Sequence, residues 1–365
     1  MVEYLETDWC AKWALYSPDK FFLREYSSGL EWTYSEFNSK ANAFANYLIN
    51  DLKLVKGERV AVYSKNRAEF ILLYIACVKA GTILVPLNFR LTPRELDTLI
   101  HDAEPSLFIY ESGFEEEVKR LTTLDPIPNK LEMEAVNNWL INDFSKTDLK
   151  FENVPDFEDP VMILYTAGTT GLSKGVIITH KQLFWNAVNT VLRLNLIQTD
   201  HTQSYAPFFH TGGWNVLFTP FLFVGASHTL LGSFDTDLIL ELMEKEKTTI
   251  FFGVPTMLQM ISDSPEFEST DLSSVRFAIV GGAPMPIPLI NIWHKKGIYI
   301  RQGFGLTEVG PNCFSLHQDD AIRKKGSIGF PNFYIETKIV KEDGSECAVN
   351  EVGELWLKSP VVTLG

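Results

Sequence analysis

The chain reads as an α/β protein with mainly parallel sheets covered by helices, followed by an antiparallel region. Three observations predict this. Short apolar runs alternate with helical periods from residue 34 to residue 110. The same alternation resumes after a stretch of prolines, asparagines and acids between Ile127 and Pro160. From Gly326 it gives way to short strands joined by a tight turn. Strand and helix in alternation mark a parallel sheet, because parallel strands need a long crossover between them.

The elements follow in order. Residues 34–50 place Phe37, Ala41, Phe44, Ala45 and Leu48 on one helical face. Gly57 precedes a strand over Arg59–Tyr63, a helix over Arg67–Lys79 and a strand over Thr82–Pro86. Thr92-Pro93-Arg94-Glu95 supplies an N-cap, a first-position proline and a reciprocal cap for a third helix. Ser106–Tyr110 is a further strand, and Ile127–Pro160 reads as a linker. Strands are then expected at Val161–Tyr165, Val176–Thr179, Thr248–Gly253 and Val275–Val280, with helices through the 180s and over 234–247. Thr179 and Gln182 have capping-box spacing. Glu336–Val340 and Gly353–Lys358 flank the turn Glu342-Asp343-Gly344-Ser345 and read as antiparallel strands.

Composition excludes several classes. A chain of 365 residues with 45% hydrophobic content can bury a large core. Its net charge of −14 argues against nucleic acid and anionic membranes as partners, since both need basic patches. Cys10, Cys77, Cys313 and Cys347 have neither zinc nor disulfide spacing, and Cys77 lies in an apolar run that reads as core. No basic-then-apolar leader opens the chain, and the apolar stretch Trp214–Ala226 is short and broken by Pro220. A reducing, cytoplasmic setting is expected. The oligomeric state stays open, a homodimer included.

The most informative segment is Tyr165-Thr166-Ala167-Gly168-Thr169-Thr170-Gly171-Leu172-Ser173-Lys174-Gly175-Val176. Glycines permit sharp turns and close approach of a ligand to the backbone, and successive N–H groups form a nest for phosphate oxygens. Thr166, Thr169 and Thr170 add hydroxyls and Lys174 a charge. A plain polar turn needs one or two glycines and no lysine. A Walker A loop needs four residues between its glycines and a Gly-Lys-Ser/Thr that opens a helix. Here two residues separate Gly168 from Gly171, and Gly175 follows Lys174. The loop joins strand to strand, which disfavours P-loop kinases and GTPases.

This loop resembles the phosphate-binding motif of the acyl-adenylate-forming superfamily, which includes acyl-CoA synthetases, peptide-synthetase adenylation domains and luciferases. Ala167 stands where the family usually has Ser, and Ser173 where it has Pro. Four further segments follow in the family's order: Pro207-Phe208-Phe209-His210-Thr211-Gly212-Gly213, Gly281-Gly282-Ala283-Pro284, Gln302-Gly303-Phe304-Gly305-Leu306-Thr307-Glu308 and Gly353-Glu354-Leu355-Trp356. The resemblance implies a first α/β subdomain with its linker over residues 1–160 and a second over 161–325. Residues 326–365 would start a small β-barrel. The family's ribose-binding aspartate, hinge arginine and C-terminal-domain lysine would lie beyond Gly365, so the mobile C-terminal domain is expected to be absent and the chain alone nearly inert as a ligase.

The resemblance also implies a reaction: ATP-dependent activation of a carboxylic acid to acyl-AMP, then transfer to CoA, with Mg2+. Thr166, Ala167, Gly168, Thr169, Thr170, Gly171 and Lys174 would hold the departing phosphates. Thr307 would bond the α-phosphate and Glu308 the metal. Gly281, Gly282, Ala283, Gln302, Gly303, Phe304 and Gly305 would form the adenylate slot, with Phe304 against the base. His210 would line the carboxylate site, with Thr211, Gly212 and Trp214 expected beside it; a helix starting near Gly212 would let the Trp214 indole wall an acyl tunnel in a neighbourhood of Phe209, Leu217, Phe218, Phe221 and Leu222, joined by Val254, Pro255 and Met257. An apolar fatty acyl group is the expected substrate, with an aryl or o-succinylbenzoate-type acid as the alternative. A non-catalytic nucleotide- or acyl-binding module is the competing class.

Overall fold

A computed structural model describes residues 7–142, 155–166 and 173–365. A six-stranded sheet runs Asn129–Glu132, Leu107–Tyr110, Arg59–Tyr63, Ile83–Leu87, Pro160–Thr166, Lys174–Thr179 in spatial order. Its first five strands are parallel, and the last turns back antiparallel. A four-stranded sheet orders Glu31–Thr33, Phe21–Glu25, Ser227–Leu230 and His201–Ser204. The third sheet has Ile250–Gly253, Phe277–Val280 and Tyr299–Leu306 in parallel, then Gly310–Ser315 and Phe330–Pro331 antiparallel. Glu336–Val340 and Glu354–Lys358 form the expected antiparallel ribbon.

The helix Ala68–Ala80 is buried along its whole length, as a helix apolar on every face must be. Its one cation, Lys79, is satisfied by Asp8 Oδ2 at 2.5 Å and Asn38 Oδ1 at 2.6 Å. Gly81 ends it in the left-handed conformation, with φ +69°. The capping boxes Thr33–Glu36 and Thr92–Glu95 both form, the second with Pro93 in the first turn. Among the described residues no helix is long and apolar enough to cross a membrane.

Two sequence expectations change. Residues 129–141 are not linker: Asn129–Glu132 joins the six-stranded sheet, and the helix Met133–Ile141 buries Met133, Val136 and Leu140. Trp139 packs edge-on against Phe44 at 5.0 Å. The helical spacing was present, but Glu134, Asn137 and Asn138 diluted it. The hydrogen bonding also does not break at residue 160. Met162 pairs with Leu84 in the first sheet, and Leu23 pairs with His228 in the second. Residues distant in sequence thus share sheets.

Candidate active site

The parallel strands Ile250–Gly253, Phe277–Val280 and Tyr299–Leu306 present their C-terminal ends together, the edge at which open α/β sheets bind ligands. A cavity of ≈270 Å³ opens there. One wall is Ala206, Pro207, His210, Thr211, Gly212 and Gly213; another is Phe252, Val254 and Met257. Val280–Gly282, Gly303, Gly305 and Pro311 complete it, with Val216, Ile279 and Asn312.

Two glycines make this geometry possible. Gly282 has φ +80°, a conformation that strains L side chains, and it lets the chain turn off the strand end. A Cβ on Gly213 would lie 2.4 Å from the Pro207 carbonyl oxygen, so only glycine lets the short helix Thr211–Asn215 seat against that loop. Gln302 is buried in the adjacent strand, and its Oε1 accepts from the Met285 N–H at 2.8 Å. It thereby fastens the Gly281–Met285 loop rather than facing the cavity.

Other expected site residues lie elsewhere. Trp214 is 0% exposed. Its ring stacks on Phe208 at 4.2 Å and meets Tyr74 at 5.0 Å and Phe218 at 5.4 Å, while its N–H donates to the Phe208 carbonyl. It belongs to the core behind the helix and does not wall the cavity. The same correction applies to Leu217, Phe218, Phe221 and Leu222, which are buried away from it, whereas Val254 and Met257 do line it. Phe304 alternates away from Gly303 and Gly305 and packs edge-on against Phe314 at 5.9 Å, outside the cavity wall. Ala283 is exposed beside the cavity.

His210 sits where the helix Thr211–Asn215 begins, its ring 4.4 Å from that of Phe209. Burial, reinforced by the Arg90 cation, lowers its pKa, so the ring favours the neutral form. It retains solvent contact at the cavity mouth.

Thr307 and Glu308 occupy a short 3-10 turn. Backbone contacts hold this turn: Gln182 Nε2 donates to the Thr307 carbonyl at 3.2 Å, and the Thr363 N–H donates to the Glu308 carbonyl at 2.7 Å. Thr363 Oγ1 also donates to the Ile177 carbonyl, which ties the turn to the strand Lys174–Thr179. Gln182 therefore does not complete the capping box; only Thr179 caps, accepting from Gln182 N–H at 3.2 Å. The Glu308 side chain is left exposed. Among the described residues no group of three or more His, Cys, Asp or Glu could enclose a metal. A lone carboxylate suits Mg2+, which keeps most of its waters and takes phosphate oxygens as further ligands.

Thr166 and Lys174 pair directly across the antiparallel hairpin, at the two ends of the glycine loop. Ala167, Gly168, Thr169, Thr170 and Gly171 lie outside the described residues. Sequence reasoning missed Val216, Phe252, Ile279, Pro311 and Asn312. A signal existed for the last two: the return strand Gly310–Ser315 immediately follows the Thr307-Glu308 motif and pairs with the strand that carries Gly303 and Gly305.

The profile of the AMP-binding enzyme family matches residues 10–365. Feruloyl-CoA synthase from Amycolatopsis sp is 32% identical over 361 residues, covering 98% of this chain and 70% of that protein. Long-chain-fatty-acid–CoA ligase FadD13 from Mycobacterium tuberculosis is 29% identical over 345 residues, covering 93% of this chain and 67% of that protein. The inhibitor-bound N-terminal domain of FACL13 from Mycobacterium tuberculosis superposes with a TM-score of 0.89 at 27% identity, covering 98% of this chain and 90% of that domain. With the glycine-edged cavity, the strand-to-strand loop and the Thr307-Glu308 turn in the family's order, the chain belongs to the AMP-binding enzymes and is of the AMP-forming acid–thiol (CoA) ligase kind.

Proposed function

We propose that this chain carries the adenylating site of an ATP-dependent ligase that activates an apolar or aromatic carboxylic acid for transfer to CoA. The observation that carries this reading is the ≈270 Å³ apolar cavity that ends on Gly281, Gly282, Gly303 and Gly305 with His210 at its mouth. Its walls are mostly apolar and it opens to solvent at His210, which suits an apolar or aromatic acyl group.

In this reading the carboxylate oxygen forms a bond to the α-phosphorus of ATP as the bond to the β,γ-diphosphate breaks and pyrophosphate leaves. The CoA sulfur then bonds the acyl carbon and AMP departs. Displacement at phosphorus asks the protein chiefly to position groups and offset charge. Lys174, Thr166 and the loop Ala167–Gly171 hold the departing phosphates; Thr307 bonds the α-phosphate. Glu308 would ligate Mg2+, which neutralises phosphate charge when bound. The Gly281–Ala283 edge offers backbone groups to adenine. His210, kept neutral, orients the carboxylate without adding charge.

A panel of carboxylates assayed with the full-length protein for pyrophosphate release, with hydroxylamine trapping of acyl-AMP, tests the proposal. Release with an apolar or aromatic acid supports it. ATP binding without release for any acid would instead support a non-catalytic binding module.

A further inference from the structure

The strands Pro160–Thr166 and Lys174–Thr179 meet at the Thr166–Lys174 pair, one step from the glycine-rich segment on either side. The second of them is the edge strand of the six-stranded sheet. Within the sheet it has one neighbour to set its register, and a slip of one residue would turn Lys174 to the opposite face.

Tyr165 guards that register. It pairs with Gly175, the residue beside Lys174. A Cβ on Gly175 would come 3.3 Å from both Cε1 and Cζ of Tyr165 and 2.9 Å from Ile163 Cγ2, so the ring lies on space that only glycine leaves free. An aromatic ring laid over an edge glycine pins the pairing of two strands. The ring also packs against the core cluster that includes Val85, Leu96 and Leu99. Its hydroxyl then reaches the helix Pro93–Ala103, donating to Asp102 Oδ2 at 2.7 Å with the Leu99 carbonyl oxygen at 3.2 Å. Burial and the Asp102 carboxylate raise the pKa of the phenol, so it stays the donor. A bond to a carboxylate is charge-assisted and stronger than one between neutral groups. The hydroxyl is spent on the helix and is not offered to a ligand, so any effect of Tyr165 on nucleotide acts through its strand.

We propose that Tyr165 is a positioning residue for the β,γ-phosphates of ATP: seated on Gly175 and tied to Asp102, it holds Lys174 and Thr166 in the register that presents them to those phosphates. This rests on the reading that the glycine-rich loop binds phosphate.

The test is calorimetric titration of the full-length protein with AMP and with ATP and Mg2+, for the unaltered chain and for Y165F, D102A, D102N and the double variant Y165F/D102A. Asp102 is exposed, so none of these leaves a charge buried. Y165F keeps the ring and removes the bond. ATP affinity falls roughly three- to tenfold, the scale of one hydrogen bond, while AMP affinity changes by less than about twofold. D102A reproduces the loss, the double variant adds nothing to it, and D102N, which keeps an acceptor, recovers most of it. A merely structural role would lower urea midpoints and weaken both nucleotides alike. Equal weakening of ATP and AMP, unchanged ATP affinity in Y165F, or additive losses in the double variant would overturn the proposal. G175A is a second approach to the same point, since it leaves both bonding groups in place and displaces the ring; it too should weaken ATP and spare AMP. K174A, titrated alongside, reports on the phosphate-loop reading by itself. If K174A weakens ATP binding and Y165F does not, the reading stands and the role of Tyr165 falls. If K174A leaves ATP binding unchanged, the reading falls and takes this role with it.

Discussion

Gln182 reaches from the first turn of the helix His180–Leu194 and donates its Nε2 proton to the carbonyl of Thr307. That helix follows directly on the strand Lys174–Thr179, so one hydrogen bond couples the strand leaving the glycine loop to the turn that bears Glu308. Q182L removes the bond while keeping the volume. The expected result is MgATP binding weakened by several-fold, the scale of one net hydrogen bond plus a loosened turn, with carboxylate affinity little changed. Equilibrium titration of both ligands checks it. Equal weakening of the two would place Gln182 in general folding rather than in positioning the turn.

If Lys174 contacts the β,γ-phosphates as proposed, Lys174→Ala should lower ATP affinity roughly ten- to a hundredfold, the scale of a charge-assisted contact of about 1.5–3 kcal/mol. AMP affinity should fall far less, since AMP lacks the β,γ-phosphates. A similar loss for both nucleotides would move Lys174 away from those phosphates.

Glu308→Gln should leave nucleotide binding in the absence of metal nearly unchanged and abolish most of its enhancement by Mg2+, because an amide is a poorer ligand for a hard cation. The measurement is ATP affinity across a Mg2+ series. An unaltered Mg2+ dependence would remove the carboxylate from the metal site.

Trp214→Ala should destabilise the fold by about 3–5 kcal/mol, the usual cost of emptying a buried aromatic site, and lower use of all acids alike. Met257→Ala, on the cavity wall, should instead change which acids are used. Denaturant midpoints and a substrate panel separate the two effects. A selectivity change in the Trp214 variant at full stability would return that indole to the cavity.

Acid should destabilise the chain through two buried imidazoles. Burial, with help from the neighbouring His201, pushes His228 down to about 3, and burial takes His180 down to about 4 against the pull of Asp159 and Asp8. An unfolded histidine titrates near 6.5. Below that pH the unfolded chain binds protons that the folded chain refuses. Each ring's contribution is therefore full above about pH 6.5 and declines toward pH 3–4, at about 1.4 kcal/mol per pH unit. Urea midpoints at pH 7.5 and 5 should fall accordingly, and H228F should lessen the fall. An equal pH dependence in H228F would show that His228 is not a source of it.

The α/β alternation and most element positions were legible because strand and helix leave different periods in the sequence. Arg59–Tyr63 and the Thr92–Glu95 capping box could be read from local chemistry alone. The helix Met133–Ile141 could not, because its stability comes from Phe44 and the core rather than from its own amphipathic contrast. In the site, the glycine motifs announced themselves, since few other reasons place glycines so densely. Trp214 was misplaced because an aromatic near a ligand motif and an aromatic packed behind one look alike in sequence. The anchoring of Tyr165 was invisible because its partners Leu99 and Asp102 reach it only through tertiary packing.

The parallel pairing of Phe21–Glu25 with Ser227–Leu230 has a consequence for biosynthesis. On the ribosome, Phe22 and Leu23 emerge early, with only the short strand Glu31–Thr33 beside them. At roughly 5–20 residues per second, their parallel neighbour follows about 10–40 seconds later. Throughout that interval one edge of the nascent sheet is an open template for another chain. Nascent chains of this protein should therefore recruit holdase chaperones until the segment around Ser227–Leu230 has been translated, and a gene split at codon 160 should yield two aggregating halves that recover solubility when co-expressed.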